Sequence, residues 1–258
     1  MHAARTAGAS AAFFLPYLKP GIDLLDCGCG FGNITVGLAE AIAPGRVTGI
    51  DLDEERIAQA TAAATKHDVA NVTFQTASIY ELPFPDESFD AAFENAVFIH
   101  LDDPLKAAKE ILRVLRPGGF FGARDGDHDG RIWGNMNPVM NDVRDFIRKR
   151  NARSGSNYYL GKELRALLRH AGFENVVASA SVECHGTPEA MAGASEIIAQ
   201  VIEEAETLQI ALEHQLADEA TLKRWAAAIR KWGTDPDSVH ILMNCEAVGW
   251  KEWAPGIR

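Results

Sequence analysis

Short apolar runs alternate with helical patterns along most of this chain. The predicted strands lie at residues 22–27, 47–51, 72–74, 90–95, 120–124, 176–182 and 241–250. The predicted helices lie between them, at residues 33–42, 53–67, 103–115, 137–151, 164–171, 187–208 and 222–233. This alternation predicts an α/β fold in which helices cover both faces of a doubly wound, mostly parallel seven-stranded sheet. We expect the last strand to run antiparallel.

Two stretches interrupt this rhythm. Residues 126–160 begin with many Gly, Asp and Asn residues, which predict a polar loop before the next helix. Residues 184–238 contain a pair of helices and are too long for a plain loop. We expect both stretches to be helical insertions that form a substrate cap on a single domain of residues 1–258. We expect residues 1–20 to form an N-terminal helical lead-in with an apolar face.

A glycine-rich turn follows the first predicted strand. Asp26 ends the strand, and Gly28, Gly30 and Gly32 follow at two-residue spacing before the first helix. A strand, a glycine loop and a helix form a nucleotide-type site, because glycine lets a ligand lie against the backbone and the helix N-terminus offers N–H groups. A dinucleotide fingerprint would need its third glycine where this chain has Asn33.

Composition narrows the choice of partners. The formal net charge of the 258 residues is −11, with no strongly basic block, which argues against a nucleic-acid partner. No run of about 18 apolar residues predicts a membrane span, and the N-terminus lacks the apolar core of a signal peptide. We therefore expect a cytoplasmic protein without a membrane partner. The four cysteines do not suggest a disulfide framework.

Four motifs together resemble motifs of the UbiE/type-11 branch of the class I S-adenosylmethionine (SAM)-dependent methyltransferases. They are the glycine motif at residues 25–32, the acid Asp51, the stretch at 77–84 and Leu-Arg-Pro-Gly-Gly at 115–119. The resemblance covers residues 5–183 and implies a Rossmann-like fold with SAM as cofactor and S-adenosylhomocysteine as product. It also implies that residues 5–18 form a lid over SAM. The residues that the resemblance assigns to the cofactor are Asp26, Gly28, Gly30, Asp51, Leu52, Ser78, Ile79 and Asn95.

Two of these assignments also have a physical argument. Asp51 ends the second strand about 20 residues after the glycines, where a carboxylate accepts hydrogen bonds from ribose hydroxyls. Ser78 departs from the family, which usually has Asp at this position. A hydroxyl accepts a weaker hydrogen bond than a carboxylate, so we expect looser binding of the adenine amino group.

Two histidines are candidates for the catalytic proton transfer that some methyl acceptors need. His100 follows the fourth strand, and His128 lies in the polar loop predicted after the fifth. A neighbouring acid could hold His128 in one tautomer and raise its basicity. A structural role remains the alternative for both. The predicted substrate-pocket residues are Trp133, Met136, Tyr158 and Tyr159, for which ordinary packing is the alternative.

Metal binding is not expected. Asp125, Asp127 and Asp129 alternate as in part of a calcium loop, but the glutamate that should complete such a loop is missing. Cys27 and Cys29 flank glycines that the cofactor needs, and no second cysteine pair follows them.

These observations favour methyl transfer from SAM to a small-molecule acceptor. Oxygen is the favoured atom for methylation, with carbon and nitrogen as alternatives. A SAM-binding enzyme that catalyses cyclisation, a pericyclic step or elimination would keep the same cofactor site. An NAD(P) oxidoreductase and a non-catalytic adenosine-ligand sensor are further alternatives. The sequence leaves open whether the chain forms a homodimer.

Overall fold

The computed structural model describes residues 6–253 and divides the chain into two compact units. The first contains the described residues up to 125, together with 160–180 and 245–253. The second contains residues 126–159 and 181–244, which include most of both predicted insertions. No helix among the described residues is both long enough and apolar enough to cross a membrane. Residues 1–5 of the predicted N-terminal segment, which include Arg5 at the start of the predicted lid, lie outside the described residues.

Seven strands form the sheet that the alternation predicted, in the order β3-β2-β1-β4-β5-β7-β6. The pairs β1–β2, β2–β3, β1–β4 and β4–β5 are parallel, and β7 is antiparallel. Strand order reverses between β1 and β4, so the ends of these two strands form the switch point at which such sheets bind ligands. The strands are β1 (Asp23–Cys27), β2 (Arg46–Asp51), β3 (Val72–Thr76), β4 (Phe89–Asn95), β5 (Leu115–Trp133), β6 (Glu174–His185) and β7 (His240–Trp250).

The helices begin and end at residues that the sequence marks. Asp53 accepts hydrogen bonds from the backbone N–H groups of Glu55 and Arg56, and Asp103 accepts one from Lys106. Gly172 adopts a φ of 107° and ends a helix in the left-handed conformation. The helices are α1 (Ala7–Ser10), α2 (Asn33–Ile42), α3 (Glu54–Lys66), α4 (Pro104–Val114), α5 (Pro138–Asn151), α6 (Leu164–Ala171), α7 (Pro188–Glu203), α8 (Ala205–Glu213) and α9 (Glu219–Gly233).

Alternation along the strands builds a core on each face of the sheet in the first unit. Leu25 and Ala92 belong to one buried cluster with α4 and α6, whereas Leu24 and Phe93 belong to another with α2. In the second unit, α5, α7 and α9 pack around Met140, Phe146, Trp225 and other buried apolar side chains. Each unit therefore has a hydrophobic core of its own.

The predicted end of the fifth strand was wrong. We expected it to end at Arg124 and to lead into a polar loop, but β5 continues to Trp133. Gly130 serves close approach rather than a turn, because a Cβ on it would lie 2.7 Å from the Cβ of Met243. The predicted helix at 187–208 is also divided, because Glu204 has an extended ψ of 144° between α7 and α8.

The N-terminal segment contains two short helices, α1 and a 3₁₀ turn at Leu15–Tyr17. Between them, Phe14 is fully buried, with its ring centroid 5.3 Å from those of Phe93 and Phe120. Gly122 makes room for it, since a Cβ there would lie 2.3 Å from the Phe14 ring. The apolar face that the sequence indicated therefore packs into the core of the first unit.

We expect Phe14→Ala to lower the free energy of unfolding by about 3–5 kcal/mol, because the substitution leaves a cavity between two core rings. Urea unfolding of the full chain measures this, with the exposed Lys19→Ala as a control expected to change stability by less than about 0.5 kcal/mol. A loss below about 1 kcal/mol for Phe14→Ala would mean that the segment detaches without disturbing the sheet.

Candidate cofactor and active site

The glycine loop after β1 is held in a conformation that favours glycine. Gly28, Gly30 and Gly32 have φ angles of 72°, 54° and 77°. A Cβ on Gly28 would lie 2.3 Å from a methyl group of Val97, and one on Gly32 would lie 2.9 Å from the ring of Phe74. A Cβ on Gly30 would have no atom of the described chain within 4 Å apart from its immediate neighbours in sequence. Gly30 therefore faces open space, whereas the other two glycines are required by packing.

Asp51, the last residue of β2, ties this loop to the neighbouring strand. Its Oδ2 accepts the N–H of Gly30 at 2.9 Å, and its Oδ1 accepts the N–H of Asp53 at 3.1 Å. The backbone carbonyl of Ile50 accepts from Gly28 and Cys29. Each carboxylate oxygen has a second lone pair, so Asp51 can accept further hydrogen bonds from a ligand.

Asp26 is a buried acid at the base of the loop. Only 3% of its surface is exposed, and its Oδ2 accepts the hydroxyl hydrogen of Thr35, the two oxygens lying 2.6 Å apart. Burial raises the pKa of Asp26 to about 7; the Thr35 hydrogen bond lowers this pKa and the charge of Asp51 raises it. This carboxyl therefore changes its charge near neutral pH, and a nearby cation would favour the ionised form.

Glu94 and Asn95 end β4 beside the loop. Glu94 is fully buried, and its two carboxyl oxygens accept the N–H groups of Arg124 and Val97, both at 3.0 Å. Burial raises the pKa of Glu94 well above its usual value. Ala96, two residues after Glu94, has a φ of 59°, which is unusual for a residue other than glycine. Glu94 thus holds a strained turn in place.

Arg124 orients Asn95 from the neighbouring strand. Its Nη1 donates to the Asn95 Oδ1 at 2.9 Å, and its Nε lies 3.7 Å from the Glu246 carboxylate. Glu246 in turn accepts the hydroxyl hydrogen of Ser179, at an oxygen–oxygen distance of 2.7 Å. Because Asn95 accepts through its oxygen here, its amide hydrogens are directed elsewhere and can be donated to a ligand.

A cavity of about 590 Å³ opens at these strand ends, entirely within the first unit. Seven of the eight predicted cofactor residues line it: Asp26, Gly28, Gly30, Asp51, Leu52, Ile79 and Asn95. Leu52 is 69% exposed there. Ser78 is not among the described residues that line the cavity. Its Oγ accepts the N–H of Tyr80 at 3.2 Å.

The cavity also has walls that sequence analysis missed. Phe31, Ile34 and Val97 contribute apolar surface, and Arg56 contributes a guanidinium 6.0 Å above the Phe31 ring. Arg56 could have been found from the sequence, because it lies three residues after the helix-capping Asp53. Val97 could not, since only the fold places it opposite Gly28.

His100 lies at the cavity, as expected from its position after β4. It ends a 3₁₀ turn at Phe98–His100, lines the cavity and is exposed. A histidine in such a position keeps access to water and to a bound ligand. Its place in the structure is therefore compatible with proton transfer.

His128 belongs to the second unit and differs from the expectation in two ways. It lies within β5 rather than in a loop, and its hydrogen-bond partner is an amide rather than an acid: Asn151 Nδ2 lies 2.8 Å from its Nδ1. An amide nitrogen only donates, so the ring Nδ1 accepts and Nε2 carries the proton. Burial, and then the charges of Arg131, His240 and Arg150, lower the pKa of His128 to about 2. The imidazole is therefore neutral and weakly basic.

The predicted substrate-pocket residues all lie in the second unit but form two groups. The rings of Tyr158 and Tyr159 lie 4.7 and 6.2 Å from that of His128. Trp133 stacks on Trp232 at 5.2 Å, and Met136 packs against the same apolar core. Among residues 6–253, no group of three or more His, Cys, Asp or Glu side chains is arranged to hold a metal ion.

Comparison with known proteins gives consistent matches. Residues 25–123 match the family model described as a methyltransferase domain. An uncharacterized methyltransferase of Schizosaccharomyces pombe is 31% identical to this chain, over 97% of the chain and 92% of the relative. The YcgJ protein of Bacillus subtilis has the same fold, with a TM-score of 0.62 and 22% identity over 96% of this chain and all of that one. The [4+2]-cyclase SpnF is 25% identical, with a TM-score of 0.54, over 92% of this chain and 76% of that one.

The full-length match and the geometry of the cavity agree with each other. The glycine motif, Asp51 and Asn95 line one cavity at the switch point of the sheet, and all of them lie within the residues that match the methyltransferase model. The chain therefore belongs to the class I SAM-dependent methyltransferase family, and its cofactor is S-adenosylmethionine.

Proposed function

We propose that this enzyme transfers the methyl group of SAM to an oxygen atom of a small-molecule acceptor. The observation that carries the proposal is the cavity at the ends of β1, β2 and β4, in which the Asp51 carboxylate and the open side of Gly30 meet. The net charge of −11 supports a small molecule over a nucleic acid as the acceptor.

The residues that line the cavity fit the parts of SAM. Asp51 keeps free lone pairs for the ribose hydroxyls, and the exposed side chain of Leu52 offers an apolar surface to the adenine. Asp26 lies where it can attract the ammonium group of the amino acid tail, and Asn95 can donate its amide hydrogens nearby. When bound, SAM supplies a methyl group that its sulfonium already makes electrophilic.

The chain must then hold an acceptor and accept its proton. His100 is our candidate for the base, because it lines the cavity and is exposed. We propose that the second unit supplies the acceptor-binding residues, with Trp133, Met136, Tyr158 and Tyr159 as apolar walls. The weakly basic His128 would serve there as a neutral hydrogen-bonding group.

Asp51→Ala should weaken SAM binding at least about tenfold, because it removes a charged acceptor for the ribose and releases the N–H of Gly30. Calorimetric titration with SAM and S-adenosylhomocysteine measures this. Glu55→Ala is a matched control, since Glu55 is an exposed acid of α3 that does not line the cavity. Equal affinity of Asp51→Ala and wild type would place the ribose elsewhere.

SAM affinity should fall as the pH is lowered from about 7.5 to about 5.5. Burial raises the pKa of Asp26 to about 7, so below that pH its proton must be displaced before the carboxylate can attract an ammonium group. The dissociation constant should rise by up to about tenfold per pH unit in this range. Calorimetry in buffers of different ionisation enthalpy would detect the released proton. Asp26→Asn should bind more weakly and lose this dependence; an unchanged slope would assign the proton to another group.

His100→Ala should lower turnover by about 10²–10⁴-fold while leaving SAM affinity within about threefold, if the imidazole accepts the acceptor's proton. His128→Ala should lower turnover less, because a neutral hydrogen-bonding group contributes less than a base. The exposed His170→Ala, in the last turn of α6, is the control. Full activity of His100→Ala would mean that the proton leaves through water.

The similarity to the [4+2]-cyclase SpnF favours a second candidate function, in which bound SAM stays intact while the protein catalyses a cyclisation. Incubation with methyl-labelled SAM and a set of phenols, alcohols and amines separates the two. Label in an acceptor, with equimolar S-adenosylhomocysteine, supports methyl transfer. Tight SAM binding without labelled product from any acceptor favours the second candidate.

A further inference from the structure

Basic groups gather in the interior of the second unit. His128 and Arg131 come from β5, Arg150 lies in the last turn of α5, and His240 begins β7. We call these four residues the basic cluster. Asn151 links two of them, since its Oδ1 accepts from Arg150 and its Nδ2 lies 2.8 Å from His128 Nδ1, and Arg131 lies three residues after His128 on β5. The charge of Arg131 acts on both His128 and His240.

Arg150 is buried without a full set of partners. Its exposed fraction is 7%, and its Nη1 donates to the Asn151 Oδ1 at 3.3 Å. Its Nε has no hydrogen-bond partner among the described residues. Asn151 in turn donates to His128, so this arginine and this histidine share one amide. A buried guanidinium without an anion is costly, because desolvation is not offset by an opposite charge.

Arg131 is partly buried and shows the same lack of an acid. Burial lowers its pKa from the usual value to about 10, and only the phenols of Tyr158 and Tyr159 act in the opposite direction. No carboxylate of the described chain is among the groups that raise it. An arginine placed this way keeps donors available for an anion that the chain itself does not supply.

His240 closes the cluster on the side of β7. It is 2% exposed, and neither of its ring nitrogens has a partner in the described chain. Its ring lies 4.7 Å from that of Trp133 and 5.7 Å from that of His185. His185 is 3.0 Å from Glu183, but this acid is exposed. The aromatic rings around the cluster offer flat apolar surfaces beside unpaired hydrogen-bonding groups.

We propose that the basic cluster binds an anionic oxygen group of the methyl acceptor, and that the acceptor is an aromatic acid. The guanidinium groups of Arg131 and Arg150 would hold the carboxylate, and Tyr158, Tyr159 and Trp133 would contact the ring. The identification of this anion as part of the acceptor rests on the proposed function, whereas binding of an anion to the cluster does not.

Benzoate is the probe for this proposal, with benzamide as its uncharged isostere and chloride at matched ionic strength as the salt control. Isothermal titration of the full chain, without SAM, should show benzoate binding to wild type and no comparable binding of benzamide. Arg131→Met should weaken benzoate binding at least about tenfold, because a charge-assisted hydrogen bond is lost. Arg144→Met, on the exposed surface of the same unit, should bind benzoate like wild type.

Stability gives a readout that a merely structural arginine would not produce. If Arg131 is paired only when an external anion binds, its charge does not stabilise the ligand-free protein. Arg131→Met should then melt at the same temperature as ligand-free wild type or higher. Inorganic phosphate, tested in the same way, separates a phosphate site from a carboxylate site, and tighter binding of phosphate than benzoate would overturn the aromatic acid. Equal binding of benzoate and benzamide by wild type would overturn the anion site, even if no variant folds.

SAM titration of the same samples separates this proposal from the proposed function. Arg131→Met should bind SAM like wild type, because the residue is outside the cofactor cavity. Benzoate binding without any SAM binding would contradict the proposed function alone. SAM-dependent methyl transfer with no benzoate binding would contradict the aromatic acid alone.

Discussion

The Asp51 carboxylate joins the glycine loop to the start of α3, and the shape of the cavity depends on these two hydrogen bonds. One oxygen accepts the N–H of Gly30 in the glycine loop, and the other accepts the N–H of Asp53, which caps α3. A loop made of three left-handed glycines has much conformational freedom when isolated. The fold therefore fixes the loop by hydrogen bonds to β2, while the same carboxylate keeps lone pairs for a ligand.

Buried acids around this bridge hold the site in shape at a cost in stability. Asp26 and Glu94 are both buried, and burial raises the pKa of each. Glu94 offsets part of that cost by accepting backbone N–H groups at the strained turn of Ala96. Within residues 6–253, Asp26 has a single side-chain partner, Thr35. Such strain and desolvation are typical of functional sites, where a polar group is held ready for a ligand.

The two units differ in how their buried arginines are paired with acids. In the first unit, Arg124 is paired with Glu246 and Asn95 on adjacent strands, so a buried cation is matched within the chain. In the second unit, Arg150 has an amide as partner, and no carboxylate acts on Arg131 among the described groups. A bound anion would pair the buried positive charge of the second unit, as Glu246 pairs that of Arg124 in the first unit.

Local patterns in the sequence determined the element order, the caps and the position of the cavity. Alternation, Asp53, Asp103 and Gly172 placed most helices and strands within a few residues, because these signals act over a single turn of chain. The glycine spacing and Asp51 predicted a ligand site at the strand ends where the cavity lies, since strand ends and glycine conformations are local properties. Seven of the eight predicted cofactor residues line one cavity for this reason.

Tertiary contacts decided the length of β5, the surroundings of His128 and the packing of the N-terminal segment. The sequence around His128 is typical of a loop, yet β5 continues through it, with Gly130 packed against Met243 more than a hundred residues away. The expected acid beside His128 is replaced by Asn151 and two arginines, which makes the imidazole a weak base. Phe14 packs into the core because Gly122 leaves space for its ring. Burial and distant neighbours set these properties, and no local pattern encodes them.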